Sequence, residues 1–169
     1  MTGVDIRDAT PGDFPALAGI FHAAVRDGAA PRYSAAERAA WSPAVPDGAD
    51  WAKCLASGQT VMATRAGRPV GFMTLIPGPD GPSSGMIDLA YVLPAERGRG
   101  TAEALYAVLE GRARADGLTT LRTDASRMAE PFFARLGWTV EGREVVTRRG
   151  VGLARAAMSK VLSRGLTAA

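Results

Sequence analysis

Apolar positions in this chain change their spacing several times, and each change marks an element. Val4 and Ile6 alternate in a short strand, Val4 to Arg7. Thr10-Pro11-Gly12-Asp13 starts a helix, with Thr10 as N-cap, Pro11 in the first turn and Asp13 near the positive end of the dipole. Leu17, Ile20, Phe21 and Ala24 then recur at i, i+3, i+4 and i+7, which carries that helix to about Arg26. Gly28 to Pro31 breaks it. A second helix runs from Ser34 to Trp41, with Glu37 completing a capping box. Ser42 to Asp47 is a loop, and Asp50 to Ala56 a third helix closed by Gly58. Thr60–Thr64 and Val70–Ile76 form a hairpin around Ala66-Gly67-Arg68, followed by a loop from Pro77 to Gly85.

An apolar strand from Met86 to Val92 comes next and stops before Pro94, since proline has no N–H for a ladder. After a glycine loop, Ala104, Leu105, Val108 and Leu109 share one helical face, and that helix closes at Asp116-Gly117. Leu118 to Thr123 is a strand. The following helix starts near Ala129, because Pro131 fits only a first turn, and Gly137 stops it. Trp138–Val146 and Val151–Met158 make a last hairpin around Arg148-Arg149-Gly150. This order predicts a mixed sheet with helices on both faces, an α/β fold in one domain over residues 1–169.

The chemistry concentrates between the strand ending at Val92 and the helix after it. Arg97-Gly98-Arg99-Gly100-Thr101-Ala102 lets the backbone turn tightly and points unpaired N–H groups at one spot, where the helix dipole favours an anion. Two arginines add charge-assisted donors. The loop therefore reads as a diphosphate site. It is not a nucleoside-triphosphate loop, which needs Lys-Ser or Lys-Thr after its last glycine. It is not a dinucleotide fingerprint either, because Glu103 stands where that motif has Gly or Ala.

Composition narrows the rest. With 169 residues, 47% hydrophobic and 22% charged, the chain is of ordinary globular make-up. Its net charge of +3 comes from scattered arginines rather than a basic run, so no nucleic-acid partner is expected. A single cysteine, Cys54, allows no disulfide within the chain and suits a reducing compartment. One histidine and one cysteine far apart make no metal cluster. Without a leader or a membrane-length apolar run, no membrane partner is expected, and a cytoplasmic location is.

The six-residue loop, the strand L-A-Y-V-L-P before it and the later segment Ala129-Glu130-Pro131-Phe132-Phe133-Ala134-Arg135-Leu136-Gly137-Trp138 together resemble the GNAT superfamily of N-acetyltransferases. That resemblance implies a seven-stranded, mostly antiparallel sheet whose strands four and five splay apart around acetyl-CoA. It implies that Arg97, Gly98, Arg99, Gly100, Thr101 and Ala102 hold the pyrophosphate, that main-chain groups of Ala90, Tyr91 and Val92 pair with the pantetheine arm, and that Phe133 lies against the cofactor. The acceptor would be a small-molecule or peptide primary amine, acetylated by direct transfer.

The sequence departs from the family at the general acid. Phe133 stands at the family's usual tyrosine, and Ser126 at the usual asparagine. Ser126 is a candidate proton donor or a local backbone cap. Candidate bases are Asp88, Tyr91, Asp124 and His22; Asp88 interrupts an apolar strand, where burial raises a carboxyl pKa. In a regular strand Asp88 and Tyr91 face opposite sides, and only a bulge would change that. Tyr33, Trp41 and Arg26 are candidates for the acceptor pocket. By family habit the chain also pairs as a homodimer through its C-terminal strands. The alternative to an enzyme is a non-catalytic acyl-CoA sensor of the same fold.

Overall fold

The structure, a computed structural model, describes residues 3–162; the two ends of the expected 1–169 domain lie outside the described residues. In chain order the elements are β1 (Asp5–Asp8), α1 (Phe14–Ala23), α2 (Ala35–Trp41), α3 (Gly48–Ala56), β2 (Gln59–Arg65), β3 (Arg68–Pro77), β4 (Ser84–Val92), α4 (Thr101–Ala115), β5 (Thr120–Ser126), α5 (Glu130–Arg135), β6 (Thr139–Arg148) and β7 (Val151–Val161). The strands form one 7-stranded sheet in the order β1-β2-β3-β4-β5-β7-β6. All neighbours are antiparallel except β4 and β5, which run parallel because α4 carries the chain back between them.

Local chemistry accounts for most boundaries. The Ser34 hydroxyl accepts from the Glu37 N–H at 3.1 Å while the Glu37 carboxylate accepts from the Ser34 N–H at 2.8 Å, the capping box that starts α2. Both hairpins turn on two residues with positive φ, Ala66 and Gly67 (51° and 76°) and Arg149 and Gly150 (49° and 76°), matching the twist of paired strands. Several boundaries differ from the sequence expectation, among them β5, which runs Thr120–Ser126 rather than Leu118–Thr123. The helix expected to reach Arg26 leaves α geometry after Ala23 and continues as a π-helical turn, Ala24–Gly28. β4 begins at Ser84, inside the expected loop, because Ser84 pairs with Thr120. β7 runs on to Val161 because β5 pairs with it that far.

Two cores flank the sheet. On one face α4 and α5 bury Leu105, Leu109 and Phe133 against Val61, Met73, Ile87, Leu121 and Met158. On the other α1 and α3 bury Leu17, Ile20, Trp51 and Leu55 against Met62 and Phe72. A smaller cluster joins Ala29, Tyr33 and Leu153, with Trp41 and Met128 packed on it.

Two irregularities in the middle of the sheet position the site. The β4–β5 ladder stops at Ile87↔Thr123, although β4 continues to Val92 and β5 to Ser126. The Thr123 hydroxyl donates to the Ile87 carbonyl at 2.8 Å at that last step. Immediately beyond, the β3–β4 register slips: Thr74 faces Leu89, but Leu75 faces Ile87, leaving Asp88 as the extra residue of a β-bulge.

Candidate active site

The bulge at Asp88 breaks the two-residue alternation of β4. Ile87 packs into the core beneath α4 together with Ala90 and Val92, while Leu89 and Tyr91 pack on the α1 side. Besides burial, the Asp88 carboxylate is among the charges that raise the Tyr91 phenol. Asp88 is an exposed residue outside the cleft lining; partial desolvation of its carboxyl, and then the nearby carboxylate of Asp124, push that carboxyl above its ordinary value. Asp124 itself pairs with Arg155 at 3.6 Å. Burial also raises the Tyr91 phenol, with the Trp41 indole acting against that rise.

Where β4 and β5 stop pairing, a cleft of about 410 Å³ passes through the sheet. Its lining takes Ala90, Tyr91 and Val92 from β4, Ser126 from the end of β5, and Arg97, Gly98 and Ala102 from the loop and first turn of α4. Phe132 and Phe133 close it from α5, and Trp41 closes it from α2.

The loop is built to leave donors free. Leu93 accepts from the Glu96 N–H, Pro94 from the Arg97 N–H and Glu96 from the Arg99 N–H, at 2.9, 3.2 and 3.1 Å. Gly98 and Gly100 adopt φ of 77° and 82°, a region that costs a residue with a side chain about 1–2 kcal/mol. The N–H groups of Gly98, Gly100, Thr101 and Ala102 then find no protein acceptor among the described residues. They sit at the start of a 15-residue helix, where an anion is favoured.

Glu96 holds this arrangement in place, and sequence reasoning missed it. Its carboxylate is 5% exposed and accepts from Arg65 Nε (3.1 and 3.2 Å), Arg65 Nη2 (2.9 Å), the Thr101 hydroxyl (2.7 Å) and Arg99 Nη1 (3.4 Å). The Arg65 guanidinium in first place holds the Glu96 carboxyl below the usual carboxylate range. The available signal was a glutamate followed five residues later by the first residue of a helix; nothing local pointed to Arg65. The π-helical turn was missed too. It carries Ala24 into the cleft and presents the Gly28 carbonyl to Arg97 Nη2 at 2.6 Å.

The remaining candidates divide. Phe133 is 1% exposed, lines the cleft and packs on Phe132 and Trp138 at 5.1 and 4.9 Å between ring centres. Ser126 lines the cleft with its Oγ accepting from the Ala129 N–H at 3.1 Å, the local cap that its position before α5 suggested. Thr101 is 1% exposed and turned to Glu96; Arg99 and Gly100 lie outside the cleft lining. Trp41 lines the cleft, whereas Tyr33 and Arg26 do not. The Tyr33 hydroxyl donates to the Ala154 carbonyl (2.6 Å) and accepts from the Arg127 N–H (2.8 Å), tying α2 to β7 and to the loop before α5. Arg26 Nη1 donates to the Ser42 and Pro43 carbonyls at 3.2 and 3.4 Å. His22 pairs with Ser42 at 2.7 Å beside a separate hollow, and Cys54 is exposed on α3. Among the described residues no group of three His, Cys, Asp or Glu side chains can hold a metal, and no helix is long and apolar enough to cross a membrane.

A diphosphate-ready helix start lies next to a cleft where two parallel strands stop pairing and to a bulge in one of them, and comparison with known proteins gives the family of the chain. Residues 29–162 match the family model described as an acetyltransferase (GNAT) domain. A protein of Escherichia coli K12 named as an uncharacterized N-acetyltransferase, YafP, is 34% identical over 150 residues, 89% of this chain and 91% of its own. The chain belongs to the GNAT superfamily of N-acetyltransferases. Among solved structures, a GCN5-related N-acetyltransferase from Rhodopseudomonas palustris superposes with TM-score 0.86 and 36% identity, over 96% of this chain and 98% of its own. The PaiA N-acetyltransferase of Thermoplasma acidophilum, solved with coenzyme A, shares the fold at TM-score 0.74 and 17% identity, over 95% and 99% of the two chains.

Proposed function

We propose that this chain, as one domain, is an acetyl-CoA-dependent N-acetyltransferase that passes the acetyl group directly to a primary amine while both substrates are bound. The observation that carries this reading is the set of unpaired N–H groups at Gly98, Gly100, Thr101 and Ala102, opening beside the cleft at the unpaired edge of β4. The residues present fit the ligand. The pyrophosphate would rest on those amides, with Arg97 and Arg99 beside it. The pantetheine arm would run along β4 at Ala90, Tyr91 and Val92, between the two strands that part there, and would lie against Phe133. Similar folds solved with coenzyme A or acetyl-CoA support acetyl-CoA as the cosubstrate.

Acetyl-CoA supplies a thioester whose carbonyl carbon the amine nitrogen attacks; a C–N bond forms, the C–S bond breaks, and the amine gives up a proton. Asp88 stands where β4 bulges, and its raised pKa suits a group that takes that proton, directly or through water. A main-chain N–H near Leu89 would steady the developing oxyanion, an effect of roughly 3 kcal/mol per donor. Phe133 has no proton to give the departing thiolate. Ser126 retains its O–H while its oxygen caps Ala129, and it supplies that proton in our reading.

Two measurements test this. Acetyl-CoA titrated by calorimetry should give saturable binding, and an amine should then release free thiol. Absence of heat at high micromolar ligand would defeat the reading. Binding without thiol release for any amine would make the chain a sensor of the same fold.

A further inference from the structure

The two arginines of the loop before α4 point in different directions. Arg99 turns back to Glu96 within the loop, with Nη1 3.4 Å from Oε1. Arg97 reaches the π-helical turn instead, where its Nη2 donates to the Gly28 carbonyl at 2.6 Å. Its side chain makes no other hydrogen bond or ion pair among the described residues.

Gly28 ends a helical run. α1 and the π-helical turn are continuous from Phe14 to Gly28, and the last carbonyls of such a run have no N–H partner further along it. A cation is favoured there by the helix dipole as well as by the hydrogen bond. Arg38 Nη1 from α2 serves the Arg26 carbonyl in this way, and Arg97 serves the Gly28 carbonyl from the cofactor loop. The approach is close. A Cβ at Gly28 would lie 3.3 Å from Arg97 Nη2 and 3.5 Å from Pro94 Cγ, so the glycine lets the loop rest directly on the turn.

The contact joins the two sides of the cleft. The π-helical turn supplies Ala24 to the lining, and Ala29 follows directly after it, beside Trp41. In the acetyltransferase reading the cofactor takes the loop, β4 and α5, which leaves this opposite wall to the acceptor. On the other side, Arg97 immediately precedes Gly98, the first of the free amides. A pyrophosphate held by those amides would fix a backbone that two glycines otherwise leave loose, and with it the point from which the Arg97 side chain extends.

We propose that Arg97 is a positioning residue that braces the π-helical turn from the cofactor loop, so that filling the loop firms the wall against which the acceptor binds. This rests on the acetyltransferase reading above and adds the link by which one substrate prepares the place of the other.

Hydrogen–deuterium exchange with coenzyme A as the probe tests the brace, because no acceptor need be known. In the native chain, saturating coenzyme A should slow exchange over residues 24–33 about fivefold or more. Arg97→Met removes the donor at similar length; it should bind coenzyme A within about fivefold of native by calorimetry and show no slowing over residues 24–33. Arg97→Lys keeps a cation able to donate to one carbonyl and should restore the slowing. No slowing in the native chain, or equal slowing in Arg97→Met, would overturn the brace. So would a larger fall in coenzyme A affinity, since the guanidinium would then serve the phosphate. Failure of the native chain to bind coenzyme A would remove the acetyltransferase reading instead. The brace is then judged on the free chains, where Arg97→Met should exchange faster over residues 24–33 and an equal rate would overturn it.

Discussion

Replacing Glu96 by glutamine tests whether one buried carboxylate holds the phosphate-binding loop in shape. In the native chain this group is 5% exposed and joins three parts of the fold: Arg65 at the end of β2, Arg99 in the loop and Thr101 at the start of α4. Glutamine keeps the length but removes the charge and turns an N–H₂ group towards the donors. Breaking one partner of a buried pair costs about 3–5 kcal/mol, and the 15% exposure of the Arg65 side chain puts the variant at the lower end, about 3 kcal/mol. For a chain of this size that lowers Tm by roughly 6–12 °C. The loop should loosen with it, so acetyl-CoA affinity falls by calorimetry along with the melting temperature.

The pH dependence gives an independent reading. The folded-state pKa of Glu96 lies below that of the unfolded chain, so its contribution is complete above the unfolded value. It disappears as pH falls through the folded one. Native Tm should therefore decline from about pH 5 downward, and Glu96→Gln should lack that share of the decline. If the variant melts like the native chain at pH 7 and binds acetyl-CoA equally well, the carboxylate is not what holds the loop.

Gly100→Ala places a Cβ in open space but at a φ of 82°; it should cost about 1–2 kcal/mol and weaken acetyl-CoA binding, whereas Gly100→Glu should abolish it. Unchanged affinity in the glutamate variant would put the anion site elsewhere. Asp88→Asn should cut kcat and spare acetyl-CoA affinity. Because folding raises the Asp88 pKa, its ionisation works against the fold, so the variant should melt no lower than the native chain at pH 7. Native kcat should climb with pH through a value above the ordinary carboxylate range, and a variant that keeps that limb would acquit Asp88 as the base. Tyr33→Phe leaves the Ala154 carbonyl and Arg127 N–H without their partner; a loss of about 1–3 kcal/mol by denaturant unfolding, with acetyl-CoA affinity intact, marks it as a brace.

Features that depend on neighbours in the chain were legible in the sequence by itself. The Ser34–Glu37 capping box, the hairpin turns at Ala66-Gly67 and Arg149-Gly150, and the glycines that free the loop before α4 each arise within a few residues, where side-chain chemistry and backbone sterics act directly. Alternation and helical periodicity likewise gave the α/β order, because burial of one face is written into residue spacing. Tertiary structure alone decided how these pieces meet. Asp88 becomes the extra residue of a bulge only because β3 pairs with β4 one residue out of step there. Glu96 finds Arg65 across 31 positions, Arg97 finds Gly28 across 69, and Tyr33 reaches Ala154 across 121. Register and packing are collective outcomes of the whole sheet. A residue's long-range partner is therefore not encoded beside it, and the cleft lined by the loop, β4 and Trp41 exists only once the chain has folded.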